Sequence, residues 1–159
     1  LAIIGNFPYN ISSQILFKIL ENRHLVSEMV GMFQKEVAQR IVSGPGGKTP
    51  GILSILCQAF YDVEYLLTVD QNDFHPPPAV KSAVIRFKRN NTTSLDCDEK
   101  LFFRVVKTAF NQRRKTLRNA LKSMNLKWES TTIAPLKGKR AEELKVEDYV
   151  LLVKSLQES

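Results

Sequence analysis

Cysteine is scarce in this chain: Cys57 and Cys97 are its only two, and neither has a CxxC partner. That excludes a disulfide scaffold and a cysteine-built zinc site, so no metal is expected, and a reducing cytoplasm fits best. Long apolar runs are missing as well. Stretches such as Ile52 to Ala59 are interrupted by Ser54 and Gln58 and are far too short to span a bilayer. No basic start followed by an apolar core and a small-residue cleavage site is visible, so no secretory signal is read. Acids are nearly absent from one region. Between Lys100 and Arg140 stand twelve Lys or Arg and a single acid, Glu129, whereas the rest of the chain carries eleven bases and fifteen acids. The net charge of +7 is therefore a local device. Such a field steers polyanions, nucleic acid above all. Most charge runs are merely solvated helix faces, but so lopsided a ratio favours nucleic-acid contact.

What remains is ordinary globular composition, 43% hydrophobic and 25% charged over 159 residues, enough for one domain or two small ones. Leu1-Ala2-Ile3-Ile4 reads as a buried strand at the very first residue, so the chain is expected to be the C-terminal portion of something longer. A turn over residues 5–10 follows, then a helix through Leu20 capped by Ser12 or Ser13. Glu28 to Phe33 is a strand and Lys35 to Arg40 a helix. Ser43 to Gly51, with four glycines and two prolines, is a loop. Ile52 to Phe60 suits a helix, and Asp62 to Val69 and Val80 to Lys88 alternate as strands. This order argues for an α/β sheet with crossover helices. The polar run from Asn90 to Ser94 marks a boundary between residues 1–90 and a second part, residues 96–159. In that part Leu101, Phe102, Val105, Val106 and Ala109 form one helical face, Leu117, Ala120, Leu121 and Met124 another, and Val146 to Leu156 a last helix.

Asn6-Phe7-Pro8-Tyr9 sits after a strand and before a helix, where open α/β sheets hold their ligands. An Asn-x-Pro-aromatic turn suits methylation of an exocyclic amine, whose lone pair is delocalised into the base ring. The Asn6 side chain and a backbone carbonyl at Phe7 or Pro8 can accept both N–H groups and favour the pyramidal amine that attacks a methyl group. Tyr9 can stack on the base, and Pro8 stiffens the turn. A structural turn explains the same four residues equally well. Gly46-Gly47-Lys48-Thr49 looks like the end of a P-loop, but Val42 stands where that motif needs glycine, so nucleoside triphosphate binding is rejected. Arg114, Arg118 and Lys122 recur at i, i+4 and i+8, flanked by Lys115, and are expected to line one helix face that meets RNA phosphates.

Four segments in order carry a wider resemblance: residues 5–12 (Gly-Asn-Phe-Pro-Tyr-Asn-Ile-Ser), 34–40 (Gln-Lys-Glu-Val-Ala-Gln-Arg), 74–84 from Phe74-His75-Pro76-Pro77-Pro78, and 109–119 around Asn111-Gln112-Arg113-Arg114-Lys115. Over nearly its whole length the chain resembles the ribosomal RNA adenine dimethyltransferase family, of its small-subunit type. Phe7 departs from the family, which more often has Leu there. The resemblance implies an incomplete Rossmann-like methyltransferase sheet followed by a small all-α RNA-binding domain. It implies methyl transfer from S-adenosylmethionine to adenines of small-subunit (16S) ribosomal RNA, with the small ribosomal subunit as partner. Asn6 would touch both donor and amine, Tyr9 and Phe74 would sandwich the adenine, and Arg113, Arg114, Lys115, Arg118 and Lys122 would grip RNA. The family's main donor-binding residues lie upstream of Leu1. The complete enzyme is expected to be a monomer, while an apolar edge at Leu1 to Ile4 would invite self-association of the fragment. Two alternatives stand: an RNA-binding or assembly module without catalysis, and a large-subunit resistance methyltransferase. His75 is not assigned a general-base role, because the amine needs no base before attack.

Overall fold

A computed structural model of the chain describes residues 1–6, 12–44, 50–70, 81–91 and 95–157. Strand β1 (Ala2–Asn6) leads through helix α1 (Ser12–Glu21) to β2 (Glu28–Gln34). Helices α2 (Lys35–Val42) and α3 (Ile52–Phe60) follow, then β3 (Tyr61–Val69) and β4 (Ser82–Arg89). The remainder is helical: α4 (Glu99–Asn111), α5 (Leu117–Ala120) and α6 (Val146–Gln157), with short 3-10 turns between the last two.

The four strands form one sheet in the order β1-β2-β4-β3. β1 and β2 are parallel, as their crossover through α1 requires. β4 runs antiparallel between β2 and β3, with an irregularity at Tyr65/Leu67. Strand alternation decides which face is covered. Met29 and Phe33 of β2, with Ala83, Ile85 and Phe87 of β4, are buried against the helices. Phe87 meets Phe33 and Tyr61 edge-on, with ring centroids 6.1 and 6.3 Å apart. On the opposite face Glu28, Val30 and Met32 are half-buried and Ile4 is 86% exposed.

α1 begins at Ser12 itself, a buried residue, so this serine lies inside the helix rather than ahead of it. α4 is amphipathic, with Phe102, Val105, Val106, Ala109 and Phe110 on its buried side. Asp98 caps it by accepting the Leu101 N–H at 3.0 Å. The buried cluster runs unbroken from Phe33, Phe60 and Phe87 into Phe102, Leu117, Leu121 and Leu152. The sheet layer and the helical part therefore share one core.

Candidate functional site

β1 and β2 run parallel, so both end on the same edge of the sheet, at Asn6 and Gln34. β3 ends on that edge at Val69 and β4 begins there at Ser82, since Val69 and Ser82 pair and Ser82 pairs with Gln34. The described chain thus leaves the sheet at Asp70 and returns to it from Lys81 beside the strand ends. Its return is anchored, because the Lys35 N–H at the start of α2 donates to the Lys81 carbonyl at 2.9 Å. Asn6 is exposed, and among the described residues its side chain has no hydrogen-bond partner. Pro8, Tyr9, Phe74 and His75 lie outside the described residues, as do Gly46 to Thr49. The flanks of that last run are tied down. Gln58 donates to the Ile41 and Ser43 carbonyls at 2.8 and 3.0 Å, and Ser54 donates to the Arg40 carbonyl.

The second assembly is basic. All twelve Lys and Arg between Lys100 and Arg140 are exposed, and among the described residues only Arg113 has an ion-pair partner. The single helix face expected to carry Arg114, Arg118 and Lys122 is corrected here. α5 spans only Leu117–Ala120; Arg114 lies in the turn before it, and Lys122 opens the 3-10 turn Lys122–Met124 after it. Asn125 ends that turn in the left-handed region, at φ 57°, which asparagine tolerates. A segment 20 residues downstream in sequence completes the surface. The Leu117 and Arg118 N–H groups at the start of α5 donate to the Lys139 and Lys137 carbonyls at 2.7 and 3.2 Å. Arg140 Nε donates to the Arg114 carbonyl at 2.8 Å. Helix amides that would otherwise lack partners are thereby satisfied, and Lys137, Lys139 and Arg140 stand beside Arg114, Lys115 and Arg118. Sequence reasoning counted these three among the bases of the block but did not assign them to the site.

Arg113 behaves differently from its neighbours. Its guanidinium donates to the Pro50 carbonyl at 2.8 Å and to Glu142 at 3.2 Å, and it stands 5.9 Å from the Phe110 ring centroid. It bridges the segment before α3 and Glu142 of the helical part, whereas its basic neighbours have no ion-pair partner among the described residues. Three further titratable groups are structural. Cys57 is buried, which pushes its thiol up to about 12. Burial likewise raises Tyr61 and Tyr149, whose hydroxyls donate to the Val26 and Ala141 carbonyls at 2.8 and 2.7 Å.

The family model described as ribosomal RNA adenine dimethylase matches residues 1–158. A protein of Cytophaga hutchinsonii named ribosomal RNA small subunit methyltransferase A is 61% identical over 155 residues, covering 98% of this chain and 60% of that protein. The crystal structure of a dimethyladenosine transferase from Plasmodium falciparum superposes with a TM-score of 0.83 at 22% identity, covering 99% of this chain and 66% of that one. The crystal structure of the 23S rRNA methyltransferase ErmE gives 0.72 at 20% identity, covering 99% and 65%. At such identities these structures speak to the fold, a Rossmann-like methyltransferase sheet with helices. The chain spans about 60% of the length of the curated relatives it matches.

Proposed function

We propose, from the premise that this chain belongs to the ribosomal RNA adenine dimethylase family, that it carries the target-base edge and RNA-gripping surface of a small-subunit ribosomal RNA adenine dimethyltransferase. The observation that carries this reading is the meeting at one sheet edge of Asn6 with both ends of the 71–80 connection. Adjacent strands are about 4.8 Å apart, so β4 lies roughly 10 Å from β1. Phe74 is seven residues before Lys81, which leads into β4, a reach of at most ~25 Å, and four beyond Asp70, which follows β3, one strand further out. The connection is therefore long enough to bring Phe74 over the base beside Tyr9, the two rings taking opposite faces of an unstacked adenine.

The Asn6 side-chain oxygen accepts a hydrogen bond from the exocyclic amine. That bond strengthens as the nitrogen becomes pyramidal, so it stabilises the transition state more than the ground state. Pro8 fixes the turn that presents a backbone acceptor to the second N–H. S-adenosylmethionine, when bound, supplies a methyl group on a positively charged sulfur. An exposed amide at the carboxyl end of a parallel strand fits a group held there, and Asn6 is this chain's residue towards it. Arg114, Lys115, Arg118 and Lys122, with Lys137, Lys139 and Arg140, hold RNA phosphates; no acid intervenes on this run of bases except Glu129.

The 61% identity with a protein named for the small subunit supports that substrate over large-subunit RNA, a choice the shared fold does not make. Two free cysteines suit a reducing compartment, the cytoplasm. Transfer of labelled methyl from S-adenosylmethionine to small-subunit rRNA by the protein at the length of its relatives tests the reading. RNA binding without any transfer would leave an assembly module instead.

A further inference from the structure

α4 is fastened to the sheet layer at both of its ends, by two arginines that the chemistry above does not use. At its start, Glu99 in the first turn accepts from Arg23 through both carboxylate oxygens, the Oε2 contact being 2.6 Å. Arg23 lies just past the end of α1. The same guanidinium donates to the Leu20 carbonyl at 3.2 Å and stands 4.0 Å above the Phe60 ring at the end of α3. The turn carrying Arg23 is itself held from the sheet, because Arg89 at the end of β4 donates to the Arg23 and His24 carbonyls at 3.0 and 3.1 Å. Just past the other end of α4, Arg113 reaches back to the Pro50 carbonyl, immediately before α3. A 13-residue helix is roughly 20 Å long, so the two fastenings are well separated.

Exposed ion pairs are worth little, and this chain has those too: Lys18–Glu21 is 79% and 67% exposed and joins neighbours on one helix. Arg23–Glu99 is of another kind. Its side chains are 20% and 26% exposed, it joins residues 76 apart, and it combines contact of one guanidinium nitrogen, Nη2, with both carboxylate oxygens and a ring contact. The carboxylate also sits in the first turn of α4, where the helix dipole favours negative charge. Arg23 Nε is buried without a partner among the described residues. Such a cost is borne where a guanidinium is held by its surroundings rather than free in water.

We propose that Arg23 and Arg113 are positioning residues: together they pin α4 at two points and so fix the angle between the Asn6 sheet edge and the basic surface around α5. The functional consequence rests on the methyltransferase reading. RNA backbone is gripped at one place and a base must arrive at another, and a displacement of about 1 Å in a reacting group can cost a hundredfold in rate. Arg113, standing among the bases of the block, then contributes to catalysis through geometry and not through a phosphate contact.

Two spin labels test the clamp without any RNA, at Asp62→Cys on β3 and Glu129→Cys in the helical part, in a Cys97→Ser background. Both label sites are exposed, and Cys57 is buried. The distance distribution should broaden in Arg23→Met and in Arg113→Met, and most in the double variant. Should the double variant fail to fold, Glu99→Gln with Arg113→Lys replaces it. An unbroadened distribution in a folded double variant overturns the clamp. In the protein at the length of its relatives, Arg23→Met should lower methyl transfer to folded rRNA about tenfold to a hundredfold while RNA affinity holds. A broadened distribution with transfer undiminished overturns the positioning role. If the unsubstituted protein transfers no methyl group, the methyltransferase reading fails, and the label distances still decide the clamp.

Discussion

The sheet edge and the basic surface solve different problems, and their construction differs accordingly. On the proposed function, a few atoms at the ends of paired strands must meet one amine at the edge, and strand register fixes where they stand: Asn6 opposite Met32, Gln34 opposite Ser82. On the basic surface, charge is spread over twelve exposed side chains, three on α4 and the rest on short turns and one four-residue helix. A reaction needs the first kind of order, since small displacements of a reacting group are costly. Phosphate binding tolerates the second, because its electrostatic free energy accumulates over many contacts. The lesson is an asymmetry of sensitivity: single substitutions should cripple the edge and only erode the surface.

The widest separation is expected at Asn6. In the protein at the length of its relatives, Asn6→Ala should slow single-turnover methylation by roughly a hundredfold to a thousandfold, the usual cost of one preorganised transition-state partner. RNA affinity should stay as it was. Methylation at the parental rate would reduce the turn to scaffolding and dissolve the comparison. Tyr9→Ala should cost less, on the order of 1–3 kcal/mol for a lost stack, and it should appear in base positioning rather than in overall RNA affinity.

Erosion of the surface can be counted. Replacing Arg114, Arg118 and Lys122 together by Ala should flatten the dependence of RNA affinity on salt, the slope falling by roughly 0.7 to 0.9 per lost phosphate contact. Lys137→Ala with Lys139→Ala should remove further slope by the same rule, because the carbonyls of these two residues hold the start of α5 while their side chains stay free. Affinity that drops with the salt slope unchanged would show these residues to be structural.

Much of this architecture was legible in the sequence, and the places where it was not share a cause. Strand and helix order from residue 1 to 91 followed from period-two and period-3.6 patterning, and Glu28, Lys35, Ile52 and Val146 each open an element where the pattern first changes. The place of β4 between β2 and β3 was not legible, because no local pattern says which strand an antiparallel neighbour joins. The helix read from Leu117 to Met124 stops at Ala120. There the chain tightens into the 3-10 turn Lys122–Met124, closed by the left-handed Asn125, against good helix propensity. Arg113 was grouped with its charged neighbours because its acceptor, a backbone carbonyl at Pro50, leaves no trace in sequence.

The smallest expected effect asks whether the two regions, so unlike in construction, unfold as one. Cys57 and Tyr61 belong to the sheet layer and Tyr149 to the helical part, yet all three sit in the same buried cluster. Each is an acid whose ionisation burial suppresses, the Cys57 thiol being held protonated up to about 12 against an ordinary 9.0. Folded protein therefore keeps protons that the unfolded chain releases once the pH passes 9 to 10. The stability from these neutral groups is complete below pH 9 and is withdrawn as pH rises from there towards 12. Urea midpoints measured from pH 8 to 11 should fall steadily, and Cys57→Ala should soften the early part of that decline. Because the core is continuous, far-ultraviolet ellipticity and Trp128 fluorescence should report a single midpoint at every pH. Two midpoints that part as the pH rises would mean that the sheet layer and the helical part melt separately, and the shared core would then not couple them.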